Sequence, residues 1–569
     1  MLRIKSIITF WLFIVVVSSG LLRAQSQTDN RFEVSKQLDI YNALLKEVEM
    51  FYVDTLDVEK TVHRGINAML RGLDPYTEYF PDVEDFRLQV TGEYGGIGAF
   101  IRKFDGGVVI TEPIEGQPAQ LAGLKAGDVI MMIDTADVSK ASSERVSELL
   151  KGTPNSKVTL RIKRPGEKKP RKVDIVRKQV VTEQLVPYYG VHGKNTGYIY
   201  LGRFTDKSAQ EVKAAFDDLK QNHQIESLIL DLRNNGGGVL DAAVQIVNMF
   251  VPKGQEVLSM RGKIRQRDRV YRTSLEPIDT VIPIAVLING GSASASEIVC
   301  GALQDMDRAV LVGQRSFGKG LVQSSRDLPY NGLVKITMSK YYIPSGRCIQ
   351  HLDYSHRNED GSVAAIPDSL TSVFYTSKGR PVRDGGGVRP DFEVEEDKTP
   401  TMMYYLASDT TLFNYVTQWV LEHETIPSIE TFVYPDKDYE TFKAYLKEHN
   451  FTYDRQSEKA LKSLKEIAEF EGFLDEDSTL FTALEAKLVP DLDRDLDRFK
   501  EQIKQIISAE IVKRYYYQRG ELIESLKGDK VLEKAIEVLE SGNLYHEALN
   551  TPEKTEDQPS LSYQSTQNK

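Results

Sequence analysis

The pattern of apolar and polar positions divides the chain into four regions. In residues 30–90, apolar side chains recur at helical spacing, namely Leu38, Tyr41, Leu44, Leu45 and Val48. This spacing predicts an N-terminal helical region. Residues 91–178 consist instead of short β-rich runs separated by turn residues, with one amphipathic helix fitting Ser142 to Leu150. We expect a small β-rich domain there.

Residues 181–397 have a third pattern, in which apolar runs alternate with amphipathic stretches. The runs Leu228–Leu232, Pro283–Ile288 and Ala309–Val312 are continuously apolar, and Ser208–Leu219 has one apolar face. Strands that are apolar throughout are buried on both sides, so the pattern predicts an α/β layer architecture. The polar stretch 351–378 is interpreted as an insertion.

Residues 399–550 are charged and have helical periodicity, most clearly from Asp491 to Tyr515, where Asp491 is a suitable N-cap. We therefore predict a C-terminal helical region. Residues 551–569 lack an apolar face and are expected to be disordered.

Composition excludes several classes of protein. A net charge of −11 argues against a nucleic-acid surface, which needs clustered Lys and Arg. Two cysteines, Cys300 and Cys348, are too few for a disulfide framework. The chain has neither zinc-spaced Cys/His sets nor a Walker loop, so we expect no metal and no organic cofactor.

The N-terminus is typical of an exported protein. Arg3 and Lys5 precede an apolar run from Ile7 to Val17, and small residues lead to Ala24. This pattern predicts a signal peptide over residues 1–24. The alternative is an uncleaved segment that keeps the chain close to a membrane, although the run is shorter than the ~20 residues that span a bilayer.

The segment GGSASASE, residues 290–297, places three serines between an apolar strand and a predicted helix. Such a turn exposes a side chain beside the first free N–H groups of the helix, which suits a nucleophile and an oxyanion. The serines are equally compatible with simple N-caps. The nearest histidine in sequence, His351, lies 55 residues beyond Ser296, so another base is needed.

Two further segments carry candidate chemistry. Lys319 is flanked by glycines and followed by Gln323, at a spacing that puts both on one face of a strand. A desolvated lysine loses its proton more easily and can replace histidine as a base, but a solvated loop lysine fits as well. In DLRNNGGG, residues 231–238, glycines would let backbone N–H groups approach a carbonyl oxygen. A phosphate cradle is the rival interpretation, and its usual spacings are not met.

Together these three segments closely resemble the carboxy-terminal processing protease family, through DLRNNGGG, SASASE and SFGKGLVQ. The resemblance covers roughly residues 35–395 and implies a crotonase-like α/β core. It implies Ser294 as nucleophile, Lys319 as base and Gln323 as the residue that orients the base. The expected oxyanion donors are the N–H groups of Gly237 and Ala295.

The β-rich domain resembles the PDZ domain that this family carries before its catalytic core, and the run AGLKAGD at 122–128 supports this. The resemblance implies that Gly95, Gly96, Ile97 and Gly98 bind a peptide carboxylate. The predicted protein is thus a periplasmic serine endopeptidase acting on proteins or peptides with free C-termini. Its C-terminal helical region would serve homo-oligomer assembly or adaptor binding. The alternative is a catalytically silent peptide-binding scaffold.

Overall fold

The computed structural model describes residues 31–83, 86–87, 93–181, 184–358, 362–395, 399–488 and 491–550. The chain forms two compact units, residues 1–79 and 80–569. In the first unit, residues 31–51 are helical and a second helix runs from Val58 to Arg71, which confirms the predicted N-terminal helices. The predicted signal peptide and the predicted disordered tail lie outside the described residues.

The β-rich domain is a sheet closed by one longer helix. The helix Ser143–Leu150 begins after Ser142, whose hydroxyl accepts a hydrogen bond from the N–H of Arg145, and this confirms the predicted helix. Within the described strands, Ala99–Phe104 is an edge strand that contacts this helix. The strands and the short helix are Glu93–Gly96, Ala99–Phe104, Gly107–Pro113, Pro118–Leu121 (helix), Val129–Ile133, Ala136–Asp137, Lys157–Lys163, Arg171–Val176 and Lys178–Val181.

The next domain is built on a six-stranded sheet. Its order is Tyr188–His192, Thr196–Tyr200, Ser227–Asp231, Ile284–Ile288, Val310–Gly313 and Phe392–Glu393. The first pair is antiparallel and the others are parallel. The three strands that sequence analysis predicted from continuous apolar runs lie in the middle of this sheet, with every residue buried. The predicted α/β layer architecture is thereby confirmed.

Helices cover both faces of this sheet. On one face lie Ser208–Asn222, Leu240–Phe250 and Ala295–Asp305, which share an apolar core with the strands. The other face is covered by the last two helices of the described chain, Lys530–Ser541 and Asn543–Leu549. The end of the C-terminal helical region thus completes the core of the α/β domain.

A second sheet stands beside the first. Its strand Leu333–Tyr342 lies between Leu321–Asp327 and Glu256–Gly262, and Arg269–Arg272 pairs with the last of these. The polar stretch after His351 folds into small two-stranded pairs, Leu352–Arg357 with Val363–Ala365 and Val373–Tyr375 with Pro381–Arg383.

Most of the remaining C-terminal helices pack around a separate apolar core, whereas Gln456–Phe470 and Leu474–Leu488 contact each other. Asp491 caps a helix by accepting a hydrogen bond from the N–H of Arg494 at 3.0 Å, as predicted. The periodicity from Asp491 to Tyr515 is nevertheless interrupted at Phe499, whose φ of −106° and ψ of 19° lie outside the helical range. No described helix is long and apolar enough to cross a membrane. The helices are Thr401–Ser408, Thr410–Glu422, Asp436–Glu448, Gln456–Phe470, Leu474–Leu488, Leu492–Arg498 and Lys500–Ser525.

Candidate active site

The serine segment forms the turn between the strand Ile284–Ile288 and the helix Ala295–Asp305. Ser294 is the residue before the helix and has a φ of 57° and a ψ of −110°. Residues other than glycine rarely adopt a positive φ, which costs roughly 1–3 kcal/mol and persists where the surrounding structure enforces it, often at functional sites. The N–H of Ser294 donates to Glu297 Oε2 at 2.8 Å, which helps to hold this backbone conformation.

The three serines have different surroundings. Ser292 Oγ donates to the carbonyl oxygen of Leu232 at 2.8 Å, and Ser296 Oγ donates to that of Asn235 at 2.8 Å. Both side chains are fully buried. Ser294 is half-buried and lines a cavity. Of the three hydroxyl groups, the middle one is therefore placed to meet a ligand.

The lysine loop follows the next strand of the sheet, Val310–Gly313, and Glu297 attaches it to the serine turn. Glu297 Oε1 accepts hydrogen bonds from Ser316 Oγ at 2.6 Å and from the N–H of Gly318 at 2.7 Å. Its Oε2 accepts the N–H of Lys319 at 2.9 Å in addition to that of Ser294. Burial raises the pKa of Glu297, while these donated hydrogen bonds act against the shift. One buried carboxyl group thus holds both segments.

Glu297 lies in the segment GGSASASE, whose pattern predicted no role for it. The signal that would have identified it is the spacing Ser294-x-x-Glu297, in which a glutamate three residues after an N-cap serine binds the N–H of that serine. No local sequence pattern predicted the hydrogen bonds between Glu297 and the lysine loop, because Lys319 lies 22 positions further along the chain.

The predicted catalytic side chains line one cavity, whose volume is about 1150 Å³. Ser294, Lys319 and Gln323 all line it. Gln323 Nε2 donates to Thr337 Oγ1 on the neighbouring strand at 3.1 Å, which fixes the orientation of its amide. The helix Lys500–Ser525 is interrupted at Tyr517, whose φ of 55° and ψ of −157° are not helical. The residues after this break contribute a further wall through Gln518, Glu521, Leu522 and Ser525.

The glycine loop lies directly against the serine turn. Gly237 has a φ of +94°, and a Cβ there would lie 2.7 Å from the carbonyl oxygen of Ala293 and 2.9 Å from Ser294 Cβ. Only glycine allows this approach. The N–H of Gly237 already donates to Asn235 Oδ1 at 2.9 Å, so an oxyanion at this N–H would replace or share that acceptor. The N–H of Ala295, at the first position of the helix, donates to no group in the described part of the chain.

Asn235 holds the glycine loop in place, a role that sequence analysis missed. Its side chain is fully buried and its Nδ2 donates to the carbonyl oxygen of Leu201 at 2.7 Å. Its own carbonyl oxygen accepts the N–H of Ala293 at 3.0 Å as well as Ser296 Oγ. The asparagine therefore connects the oxyanion candidate, the serine turn and the neighbouring strand.

The predicted carboxylate-binding loop begins within the strand Glu93–Gly96 and ends at Gly98, whose φ is +72°. The carbonyl oxygens of Ile97 and Gly98 accept hydrogen bonds from Ala119 at 2.7 Å and Ile114 at 3.0 Å. The N–H groups of Ile97 and Gly98 have no acceptor among the described residues. The loop is followed immediately by the edge strand Ala99–Phe104, so its geometry is compatible with binding a peptide end.

Three stretches of the chain match models of known protein families. Residues 195–356 match peptidase family S41, and residues 95–175 match a PDZ domain. Residues 402–539 match a family described as the C-terminal helical domain of a probable PDZ-protease. The first match contains both the serine turn and the lysine loop.

One relative is similar to this chain over more than half of its length. The carboxy-terminal-processing protease of Bartonella bacilliformis is 36% identical over 353 residues, which are 61% of this chain and 80% of that protein. The chain belongs to the carboxy-terminal processing proteases. The protease is also 33% identical over 344 residues to a probable CtpA-like serine protease of Staphylococcus aureus, covering 60% of the chain and 66% of that relative.

Among solved structures, the photosystem II D1 C-terminal processing protease is 28% identical to the protease, with a TM-score of 0.34. That match covers 63% of the chain and 92% of the solved one. The family confirms two expectations from the sequence, a serine-type peptidase and a PDZ domain. In the described part of the protease, no group of three or more His, Cys, Asp and Glu side chains is arranged to hold a metal ion.

Proposed function

We propose that the protease hydrolyses peptide bonds with Ser294 as nucleophile and Lys319 as general base, near the C-terminal end of its substrates. The observation that carries this proposal is that Ser294, unlike Ser292 and Ser296, lines the same cavity as Lys319. Nothing in the fold favours the alternative of a silent scaffold, since both reactive side chains are present at one cavity.

In the proposed reaction, Ser294 Oγ attacks the peptide carbonyl carbon while its proton passes to Lys319 Nζ. The lysine must be neutral at this point, because only an unprotonated amine can accept the proton. The tetrahedral oxyanion would be stabilised by the N–H of Ala295 and by the loop at Gly237. Lys319 then returns the proton to the leaving amine, and water hydrolyses the acyl enzyme. Gln323, held by Thr337, would orient the lysine amine.

We propose that the PDZ domain supplies the selection of C-termini. The N–H groups of Ile97 and Gly98, which have no acceptor in the described part of the chain, support capture of a terminal carboxylate in the loop Gly95–Gly98. The substrate chain would then add to the edge strand Ala99–Phe104, beside the helix Ser143–Leu150.

We also propose a location for the protease, a class for its core and a role for its C-terminal helical region. The N-terminal pattern supports export to the periplasm, with an uncleaved membrane-proximal segment as the alternative. The parallel sheet with helices on both faces is compatible with the crotonase-like core that the resemblance implies. The helical region after residue 399 would serve self-assembly or adaptor binding.

The test of the proposed chemistry uses an unfolded protein substrate and single substitutions. Ser294→Ala and Lys319→Ala should abolish cleavage, and Lys319→Arg should not restore it, because arginine remains protonated. The control Lys213→Ala, at an exposed lysine on the helix Ser208–Asn222, should cleave like the unmodified protein. Retained cleavage by Ser294→Ala, or near-normal turnover by Lys319→Arg, would refute the assignment.

The role of the PDZ domain is tested with matched substrates. A peptide with a free C-terminus should be cleaved faster than the same peptide carrying a C-terminal amide, because only the first presents a carboxylate. Equal rates would contradict the proposed selection of C-termini while leaving the Ser294 and Lys319 chemistry in place.

A further inference from the structure

The helix Lys530–Ser541, which covers the outer face of the peptidase sheet, is preceded by a residue that contacts the start of the glycine loop. Asp529 is its N-cap, and its Oδ1 accepts the N–H groups of Val531 at 2.9 Å and Leu532 at 3.0 Å. Its second oxygen, Oδ2, lies 2.6 Å from Nη1 of Arg233. One carboxylate thus caps a helix and forms an ion pair at the same time.

Arg233 is held on its other side by Asp231, the last residue of the strand Ser227–Asp231. Nη2 and Nε of the guanidinium donate to Asp231 Oδ2 at 2.6 and 3.0 Å. Asp231 also accepts the hydroxyl of Tyr198 at 2.8 Å and is almost fully buried. Burial alone would lower the pKa of Arg233, but the carboxylates of Asp231 and Asp529 outweigh it and raise that pKa. The guanidinium therefore stays charged between two acidic partners.

Arg233 lies at the start of the glycine loop, so the ion pair acts on one end of that loop. Arg233 is the first residue of the loop that continues through Asn234 and Asn235 to Gly237. Gly237 lies against Ser294. Asn234 is fixed to the serine turn, where its N–H donates to Asn289 Oδ1 at 2.9 Å. Only three residues, Asn234, Asn235 and Gly236, separate Arg233 from Gly237, so we expect a shift at Arg233 to reach the backbone that faces Ser294.

We propose that Asp529 is a positioning residue for peptide hydrolysis, which holds the glycine loop through Arg233 from outside the segment that matches the peptidase family. This inference rests on the proposed function. The ion pair joins two segments almost 300 positions apart, since Arg233 lies in the peptidase match 195–356 and Asp529 in the helical match 402–539. The last helices then do more than cover apolar strands: they set the geometry of the oxyanion loop.

We expect the contribution of Asp529 to peptide hydrolysis to appear in kcat rather than in KM. Donors of an oxyanion loop act on charge that develops in the transition state, so their displacement weakens transition-state binding more than ground-state binding. A misplacement of about 1 Å by a distant substitution can cost on the order of a hundredfold in rate. We expect the loss of the Asp529 charge to lower kcat roughly 10- to 100-fold, with KM changed by no more than about threefold.

The test is Asp529→Asn in the full-length chain, because asparagine is as good an N-cap as aspartate but carries no charge. The matched control is Asp491→Asn, which changes an N-cap aspartate of a different helix. Turnover of a peptide substrate is measured per active site, with active sites counted by a serine-reactive fluorophosphonate probe. The Asp529→Asn protein should show reduced kcat per labelled site, and the Asp491→Asn protein should match the unmodified one.

A double substitution separates positioning from general stability. If both residues act through one contact, Asp529→Asn should lower kcat no further in an Arg233→Gln background. An unchanged kcat per labelled site in Asp529→Asn would overturn the proposal. So would a further loss of kcat in the Arg233→Gln background as large as the loss that Asp529→Asn causes alone. If the unmodified protein itself neither labelled at Ser294 nor cleaved peptide, the proposed function would fail instead, and the two failures are distinguishable.

Discussion

Glu297 joins the serine turn to the lysine loop with hydrogen bonds from both segments. A carboxylate has acceptor sites only, so it satisfies these N–H and O–H donors at the same time. Because the group is fully buried, removing any of its acceptors leaves a donor without a partner and without water. The relative position of Ser294 and Lys319 depends on this side chain more than on either residue's own backbone preference.

We predict that Glu297→Gln lowers activity on the order of a hundredfold and the free energy of unfolding by about 2–4 kcal/mol. The amide that replaces one oxygen donates instead of accepting, so the donors on that side lose their partner. Peptide cleavage and urea unfolding of the same preparation measure the two effects. The exposed Glu211→Gln on the helix Ser208–Asn222 is the control and should change neither. Full activity in Glu297→Gln would show that the two segments are held in place by other contacts.

Local sequence signals predicted the serine turn, but they did not predict where a helix is interrupted. The serine turn was predicted from an apolar strand followed by small residues and a helical pattern, and it lies where expected. The periodicity after Asp491 predicted one helix, whereas the structure ends it at Phe499 and continues with Lys500–Ser525. Periodicity reports which face of a helix is apolar, and two consecutive helices on the same core can share that pattern across a break.

The loop Gly95–Gly98 depends on glycine for its shape. Gly98 has a φ of +72°, and a Cβ there would collide with the side chain of Gln117. We predict that Gly98→Ala lowers kcat/KM for a peptide with a free C-terminus by roughly tenfold or more, because strain of about 1–2 kcal/mol and the collision distort the loop. Hydrolysis of a small activated ester, which needs only the Ser294 site, should be unchanged.

Gly116→Ala provides the matched control for this substitution. Gly116 has a similar φ of +73°, and a Cβ at that position would meet no atom within 4 Å. This variant carries the backbone strain without the collision and should retain preference for a free C-terminus. A parallel loss of ester and peptide hydrolysis in Gly98→Ala would indicate a general folding defect rather than impaired carboxylate capture.

The protease is held together by contacts between regions that are distant in the chain. The last two helices bury apolar side chains against the outer face of the peptidase sheet, including Leu532, which is 4% exposed. Directly before these two helices in the chain, the segment Lys500–Ser525 forms part of the wall of the cavity that Ser294 also lines. The C-terminal helical region therefore contributes both to the core and to the site.

We predict that Leu532→Ala lowers the free energy of unfolding by about 2–5 kcal/mol, because it opens a cavity between the last helices and the sheet. Leu464→Ala, at a leucine that is 53% exposed, should change it by no more than about 0.5 kcal/mol. Urea unfolding of the full-length chain measures both. Equal and small effects would mean that the terminal helices do not stabilise the peptidase sheet.

The order of residues along the chain was enough to predict the α/β class, the buried strands, the family resemblance and, through that resemblance, Ser294 and Lys319 as candidates. These depend on local features: apolar runs, glycines at turns and short motifs with defined spacing. Three contacts follow only from the packing of whole elements: Glu297 bonds to both the serine turn and the lysine loop, Asn235 accepts the N–H of Gly237, and Asp529 pairs with Arg233. Such contacts depend on how whole elements pack, and a hydrogen bond or ion pair between distant positions leaves no periodic pattern in either segment.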